Sequence, residues 1–340
     1  MAAQKKEAVK SIQLTVFGAR GSSPVAGRDY IEFGGNTTCV RVESPCLPPD
    51  MALSIDSGSG YRPFCGTLLG EGIMKIGLLQ THYHWDHIQG FPFGPHAFIP
   101  GCHTQVWGPK DLRDKSEGPE ESFARQMAAP NFPYPFDKVR HQLQFKALEY
   151  NGTQVLVWHP KGGVQLVKLH QFVEMDVEDG QMRFNANAFG DKGTYALNEC
   201  LVIKWYKAIH PDKTVSYRFE ERSTGRKLVF LTDHEVSPAW STELLAHLKG
   251  ANLLLQDAQF KHADYLAKYV EWGHGTPEYA AQTAMKAGVG RLGLVHHDPA
   301  AKDSDIQQRV IEARSEFLRC RRGDLSETVF AAKDFQTIVV

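Results

Sequence analysis

The sequence predicts one large layered α/β domain rather than a doubly wound parallel sheet. Its 340 residues exceed the usual single-domain size but suit one large α/β domain carrying insertions. Four strand-like runs fall within the first 80 residues with little helix between them, which disfavours alternating βαβ units. His and Asp residues repeatedly follow predicted strand ends, where open sheets present their ligand sites. The expectation is therefore a single domain over residues 1–340, with its ligand-type residues at strand ends.

Each element has its own signal. Residues 12–17 alternate apolar and polar, the mark of a half-buried strand. Gly34-Gly35-Asn36 precedes a second strand through Cys39, Val40 and Val42. Leu53-Ser54-Ile55 is a third, closed by the turn-forming run from Asp56 to Gly60. A fourth spans Ile76 to Gln80. Residues 108–150 are rich in Pro, Gly and charge, predicting a helix near 120–128 and then an irregular loop. Residues 151–200 carry several short alternating runs, among them Val155 to Trp158 and Val164 to Val167, and read as a β-rich insertion. Such an excursion is expected to cover the cleft or to mediate a homodimer contact. Further strands are expected at Lys227 to Leu231, Leu253 to Leu255 and Leu292 to Val295. Pro277 opens a helix with apolar positions at Tyr279, Ala280, Thr283, Ala284 and Ala287, and Gly288 ends it.

Composition narrows the classes. Hydrophobic residues make up 42% and charged residues 23%, ordinary values for a soluble enzyme with a sizeable core. The formal net charge of −1 gives no global pull toward nucleic acid or anionic membrane. Six cysteines occur without a CxxC pair, so reduced, buried thiols in a cytoplasmic protein are expected. Met1 to Lys10 is polar and lacks the apolar core of a signal peptide, and no run approaches the ~18 apolar residues of a membrane span.

The informative stretch is His82-Tyr83-His84-Trp85-Asp86-His87, directly after the fourth strand. His82 and His84, two apart on extended chain, can face one metal ion, while Asp86 and His87 reach a second. With 15 His in 340 residues, such a pattern arises by chance in roughly 0.002 of chains. Two adjacent ions need about seven His and carboxylate ligands plus a shared hydroxide. Candidates for the remaining three stand after later strands: His210, Asp233 and His296, the last with His297 beside it.

The motif resembles the signature of the metallo-β-lactamase superfamily. Gly34-Gly35-Asn36-Thr37, Gly90-Phe91-Pro92-Phe93, Thr232-Asp233-His234-Glu235, Trp272-Gly273-His274-Gly275-Thr276 and His296-His297-Asp298-Pro299 resemble the phosphodiesterase-like branch that includes ribonuclease Z. The resemblance covers residues 12–110 and 205–303. It implies an αββα sandwich with both metals at one sheet edge. It also implies His82, His84 and His210 on one ion, Asp86, His87 and His296 on the other, and Asp233 bridging. Two positions depart from the branch: His210-Pro211-Asp212-Lys213 replaces its usual His-Pro-Gly-Gly, and His274-Gly275-Thr276 replaces His-Ser-Thr.

These readings converge on hydrolysis of phosphodiesters, cyclic nucleotides or other small diesters, by a hydroxide held between two divalent ions. Zinc is the first expectation, with Mn or Fe also suited to His and carboxylate. Asp86 and His274 are the candidate catalytic residues, His274 as the acid that protonates the leaving alkoxide. Asp56 and Asp257 are candidate supports for ligands, and Arg20 and Asn36 candidate cleft residues. A small phosphodiester is the expected partner, and long RNA is disfavoured by the charge. The rival readings are a lactone, thioester or β-lactam hydrolase on the same metals, and a non-catalytic metal-stabilised binding module.

Overall fold

A computed structural model describes residues 9–113, 117–178, 180–320 and 328–340, so most of the polar Met1 to Lys10 stretch and the Cys320 side chain lie outside the described set. The first half of the chain contributes β1 (Gln13–Gly18), β2 (Cys39–Glu43), β3 (Met51–Ile55), β4 (Lys75–Leu79), β5 (His103–Lys110) and β6 (Leu143–Glu149). Helices α1 (Tyr61–Glu71), α2 (Trp85–Ile88) and α3 (Pro119–Gln126) intervene. Next come β7 (Gln154–His159), β8 (Gly163–Lys168), α4 (Leu169–Glu178), β9 (Gln181–Phe184) and β10 (Gly193–Ala196). The second half supplies β11 (Leu201–Lys207), β12 (Val215–Glu221), β13 (Lys227–Leu231), α5 (Thr242–Leu248), β14 (Leu253–Asp257) and α6 (His262–Asp264). It ends with α7 (Pro277–Ala287), β15 (Arg291–Val295), α8 (Asp303–Cys320), β16 (Val329–Ala331) and β17 (Thr337–Val339).

Two mixed sheets result, ordered β17-β1-β2-β3-β4-β5-β6 and β16-β15-β14-β13-β12-β11-β7-β8. In each, antiparallel pairing gives way to parallel pairing toward the strands that feed the site: β3 to β6 in the first, β13 to β16 in the second. Parallel strands are covered on both faces and so read as continuous apolar runs. Leu253 and Leu255 of β14 enter the core between the sheets, where Leu14, Leu53, Phe219 and Phe230 also lie. Leu254 points the other way, into a layer with Ala280, Ala284, Ile306 and Val310 from α7 and α8. Phe64, Leu68 and Phe123 of α1 and α3 cover the opposite outer face with Ile76 and Leu78. This is the expected αββα sandwich.

Helices α1, α4 and α8 are among those that the sequence reading does not contain. In α1, Tyr61, Phe64, Cys65 and Leu68 form a buried stripe, but Gly60, Gly66 and Gly70 punctuate it and hide the period. α8 buries Ile306, Val310, Ala313 and Phe317 at helical spacing, in a stretch for which the sequence reading predicts no element. α4 interrupts the segment expected to be β-rich. Within residues 151–200, β7 pairs with β11 and β8 with β7, so both belong to the second sheet. Phe172, Met182, Phe184 and Leu197 from the rest of this segment pack on Val155, Val157 and Val202. α7 matches its sequence reading: the Thr276 hydroxyl accepts from the Tyr279 amide at 3.3 Å, and Gly288 closes the helix with a left-handed φ of 66°.

Candidate metal centre

The loops after β4, β11, β13, β14 and β15 meet at one edge of the sandwich, and each delivers polar side chains there. The described residues that could hold an ion fall into two main groups, His82, His84, His210 and Asp233, and Asp86, His87 and His296. A third grouping links Asp233 and His296 to His274. All seven candidates from the sequence are thus brought together.

Asp233 stands between the two triads. Its Oδ1 lies 3.2 Å from both His87 Nε2 and His296 Nε2. Its Oδ2 lies 3.5 Å from His82 Nε2 and 3.8 Å from His210 Nε2. Asp86 Oδ2 completes the second group, 3.2 Å from His87 Nε2 and 3.1 Å from His296 Nε2. The backbone is strained where it aims these groups: φ is 36° at Asp233, 59° at His296 and 56° at Asp56. Non-glycine residues rarely adopt such angles, and such strain clusters at functional sites.

The residues fit a pair of divalent cations. His82 Nε2 and His210 Nε2 are buried without a hydrogen-bond partner, which a cation between them would remedy. Burial drives the His82 pKa well down and lowers that of His210 to about 4, so both imidazoles are neutral, as ligation requires. Burial also opposes charge on His87, but Asp233, Asp86 and Asp56 outweigh it and hold a proton there. That surplus of carboxylate is what a cation would neutralise in place of the proton.

Behind each histidine a second group fixes the ring. Asp56 Oδ2 is 2.8 Å from His87 Nδ1, and Asp56 also accepts from the Thr81 amide at 2.7 Å. Thr81 Oγ1 is 3.1 Å from His82 Nδ1, Thr214 Oγ1 is 2.8 Å from His210 Nδ1, and Gln259 Oε1 is 2.8 Å from His296 Nδ1. These contacts leave the opposite nitrogens for metal. His84 is reversed: Asp212 Oδ2 lies 2.7 Å from its Nε2, so Nδ1 is the nitrogen that could ligate. The Ser22 amide donates to Asp86 Oδ2 at 2.7 Å. Sequence reasoning found Asp56 but not Thr214, Gln259 or Ser22. Asp212 carried a signal, since it stands where the resembling branch has glycine.

His274 stacks on His296, ring centroids 4.9 Å apart and 18° from parallel. Its Nδ1 is 3.0 Å from Asp257 Oδ2, which also accepts from the Gly275 amide. Burial would lower the His274 pKa, but the Asp257 charge and hydrogen bond raise it to about 9. His297 points away, its Nε2 2.9 Å from the Ala332 carbonyl, which makes His296 the residue in the cluster. Arg20 is not a cleft residue: it is fully buried and donates to the Gly34, Asp298 and Ala301 carbonyls. Asn36 Oδ1 accepts from the Ser59 hydroxyl, an internal loop contact. A cavity of about 390 Å³ opens beside His82 and His84, walled by Trp85, Arg125, Asn131 and Lys213 among others.

Comparison with known proteins agrees with this architecture. A family model described as a beta-lactamase superfamily domain matches residues 137–297. The ribonuclease Z of Brevibacillus brevis is 41% identical over 85 residues, a quarter of each chain. That of Nostoc sp. is 23% identical over 330 residues, 91% of each chain. The crystal structure of the metallo-β-lactamase fold protein YhfI from Bacillus subtilis superposes with a TM-score of 0.58 at 18% identity, covering 96% of this chain and 98% of that one. No described helix is long and apolar enough to cross a membrane. The fold of this chain is that of the metallo-β-lactamase superfamily, and its sequence is similar to the beta-lactamase superfamily domain and to ribonuclease Z proteins.

Proposed function

We propose that this chain hydrolyses small phosphodiesters, cyclic nucleotides among them, using two divalent ions, zinc first among the candidates. The observation that carries this reading is Asp233, whose two oxygens each face one histidine group. His82, His84 and His210 would hold one ion, Asp86, His87 and His296 the other, with Asp233 shared. When bound, such a pair supplies a nucleophile at neutral pH and charge stabilisation for an in-line displacement at phosphorus.

The chain's own groups supply orientation and the proton. Thr81, Thr214, Asp56 and Gln259 fix the imidazole rings, so that little reorganisation accompanies reaction. Asp257 accepts the Nδ1 hydrogen of His274, and a second proton then stands at Nε2, available to a leaving alkoxide. Asp86, tied by the Ser22 amide, keeps its carboxylate directed at His87 and His296. The cavity beside His82 and His84 lies within the size range of small-molecule pockets and suits a nucleotide-sized diester.

Metal analysis and a substrate panel test the reading together. About two equivalents of metal are expected, with turnover of a cyclic nucleotide and of bis-nitrophenyl phosphate exceeding that of a lactone or a β-lactam. Cleavage of precursor RNA without turnover of any small diester would transfer the substrate to RNA. Preferential lactone or thioester hydrolysis would overturn phosphodiester chemistry.

A further inference from the structure

His274 is reached through residues 262–273, which run from α6 through one π-helical turn, Tyr265–Tyr269, to Gly273. Little apolar packing holds this stretch, for Leu266, Val270 and Trp272 are all exposed. Tyr269 stacks on Phe260, ring centroids 4.0 Å apart, which secures its middle. Beyond Tyr269 the backbone is strained at Glu271, a non-glycine residue with a φ of 70°, and turns again at Gly273, whose φ of 91° glycine adopts freely. Gly273 must also lie close against a proposed ligand, because a Cβ there would stand 2.2 Å from His210 Cδ2. Something must hold the chain in this shape.

One carboxylate does so. Glu235, two residues after Asp233 and buried, accepts from three points of the stretch: the Tyr265 hydroxyl, the Glu271 amide at 3.2 Å and the Gly273 amide. Its two oxygens thus gather donors from the π-helical turn and from Glu271 and Gly273 themselves. Hydrogen bonds to an ionised acceptor are roughly twice as strong as neutral ones, and stronger still away from water. We propose that Glu235 is a positioning residue that clamps residues 265–273 against the metal centre and thereby sets where His274 stands. The effect on turnover rests on the reading of His274 given above, whereas the clamp itself does not.

Glu235→Gln separates the two. An amide can offer its oxygen to Gly273 or to Glu271, but its NH₂ then faces a backbone N–H that cannot reverse. The variant should therefore exchange amide hydrogens about tenfold faster across 265–275, with β13 and β14 unchanged. Tyr265→Phe, which removes one of the three donors, should give a smaller change in the same direction and serves if the first variant does not fold. Metal content should stay near two equivalents. The kcat loss on a cyclic nucleotide should exceed that on bis-nitrophenyl phosphate by tenfold or more, with KM little changed. Unaltered exchange in both variants would refute the clamp. Faster exchange with equal losses on both substrates would refute its role in placing His274. Should the wild type hydrolyse neither diester, the proposed function fails while the exchange data still decide the clamp.

Discussion

Replacing His274 by alanine should separate proton delivery from metal chemistry. The imidazole is held at Nδ1 by Asp257 at 3.0 Å and lies flat against His296, so one ring position dominates. A positioned acid of this kind contributes about 10²–10⁴-fold, or roughly 3–5 kcal/mol of transition-state stabilisation at 1.4 kcal/mol per tenfold. The whole of that loss is expected in kcat on a cyclic nucleotide, whose alkoxide leaves poorly without a proton. Nitrophenolate needs no such help, so bis-nitrophenyl phosphate should lose less than about tenfold. Neither of the two main ligand groups includes His274, so metal content, measured on the same preparations, should remain near two equivalents. Equal losses on both substrates at full occupancy would refute His274 as the leaving-group acid.

Asp233→Ala should lose both ions and all turnover, because its two oxygens face both groups; two retained equivalents would remove it from the bridge. Asp212→Gly frees His84 Nε2 and should weaken one site toward the lower end of a roughly 10–100-fold range, since Asp212 is largely exposed. Chelator competition that shows unchanged affinity would make the contact incidental. His247 is buried against Ser216 and its pKa is pushed down to about 3 by burial, then by Arg218, with Glu220 opposing. Its ordinary value is about 6.5, so the stability it confers is full above that pH and declines on acidification toward pH 3. In that window His247→Gln should lower the slope of denaturant-measured stability against pH by about 1.4 kcal/mol per pH unit, with His82 and His210 among the groups that supply the rest. An unchanged slope would mean that another group governs the acid limb.

The sandwich and the ligand cluster were largely legible because their signals are local. A six-residue motif after an apolar strand announces itself, and Asp233 and His296 each follow a run of β-branched and aliphatic residues. The supporting shell was not legible, because its pairings span the fold. Gln259 meets His296 across 37 positions and Asp212 meets His84 across 128. Helix α1 was hidden by its glycines, and α8 by the absence of any motif to draw attention to it. Glu235 shows in the sequence only as part of a matching block, since nothing in the chain order reveals that three donors some 30 to 38 positions away converge on it.

The last dozen residues extend both sheets, β16 beside β15 and β17 beside β1. Between these strands Asp334 accepts from the amides of Ala19, Gly35 and Asn36, at 3.0 to 3.2 Å. It thus moors the loop from which the Ser22 amide reaches Asp86. A stop codon after residue 328 would leave every proposed ligand encoded and yet release that loop together with two edge strands. Such a truncation would present as metal deficiency rather than as a missing ligand, and inspecting the histidine motif alone would judge the damaged gene intact.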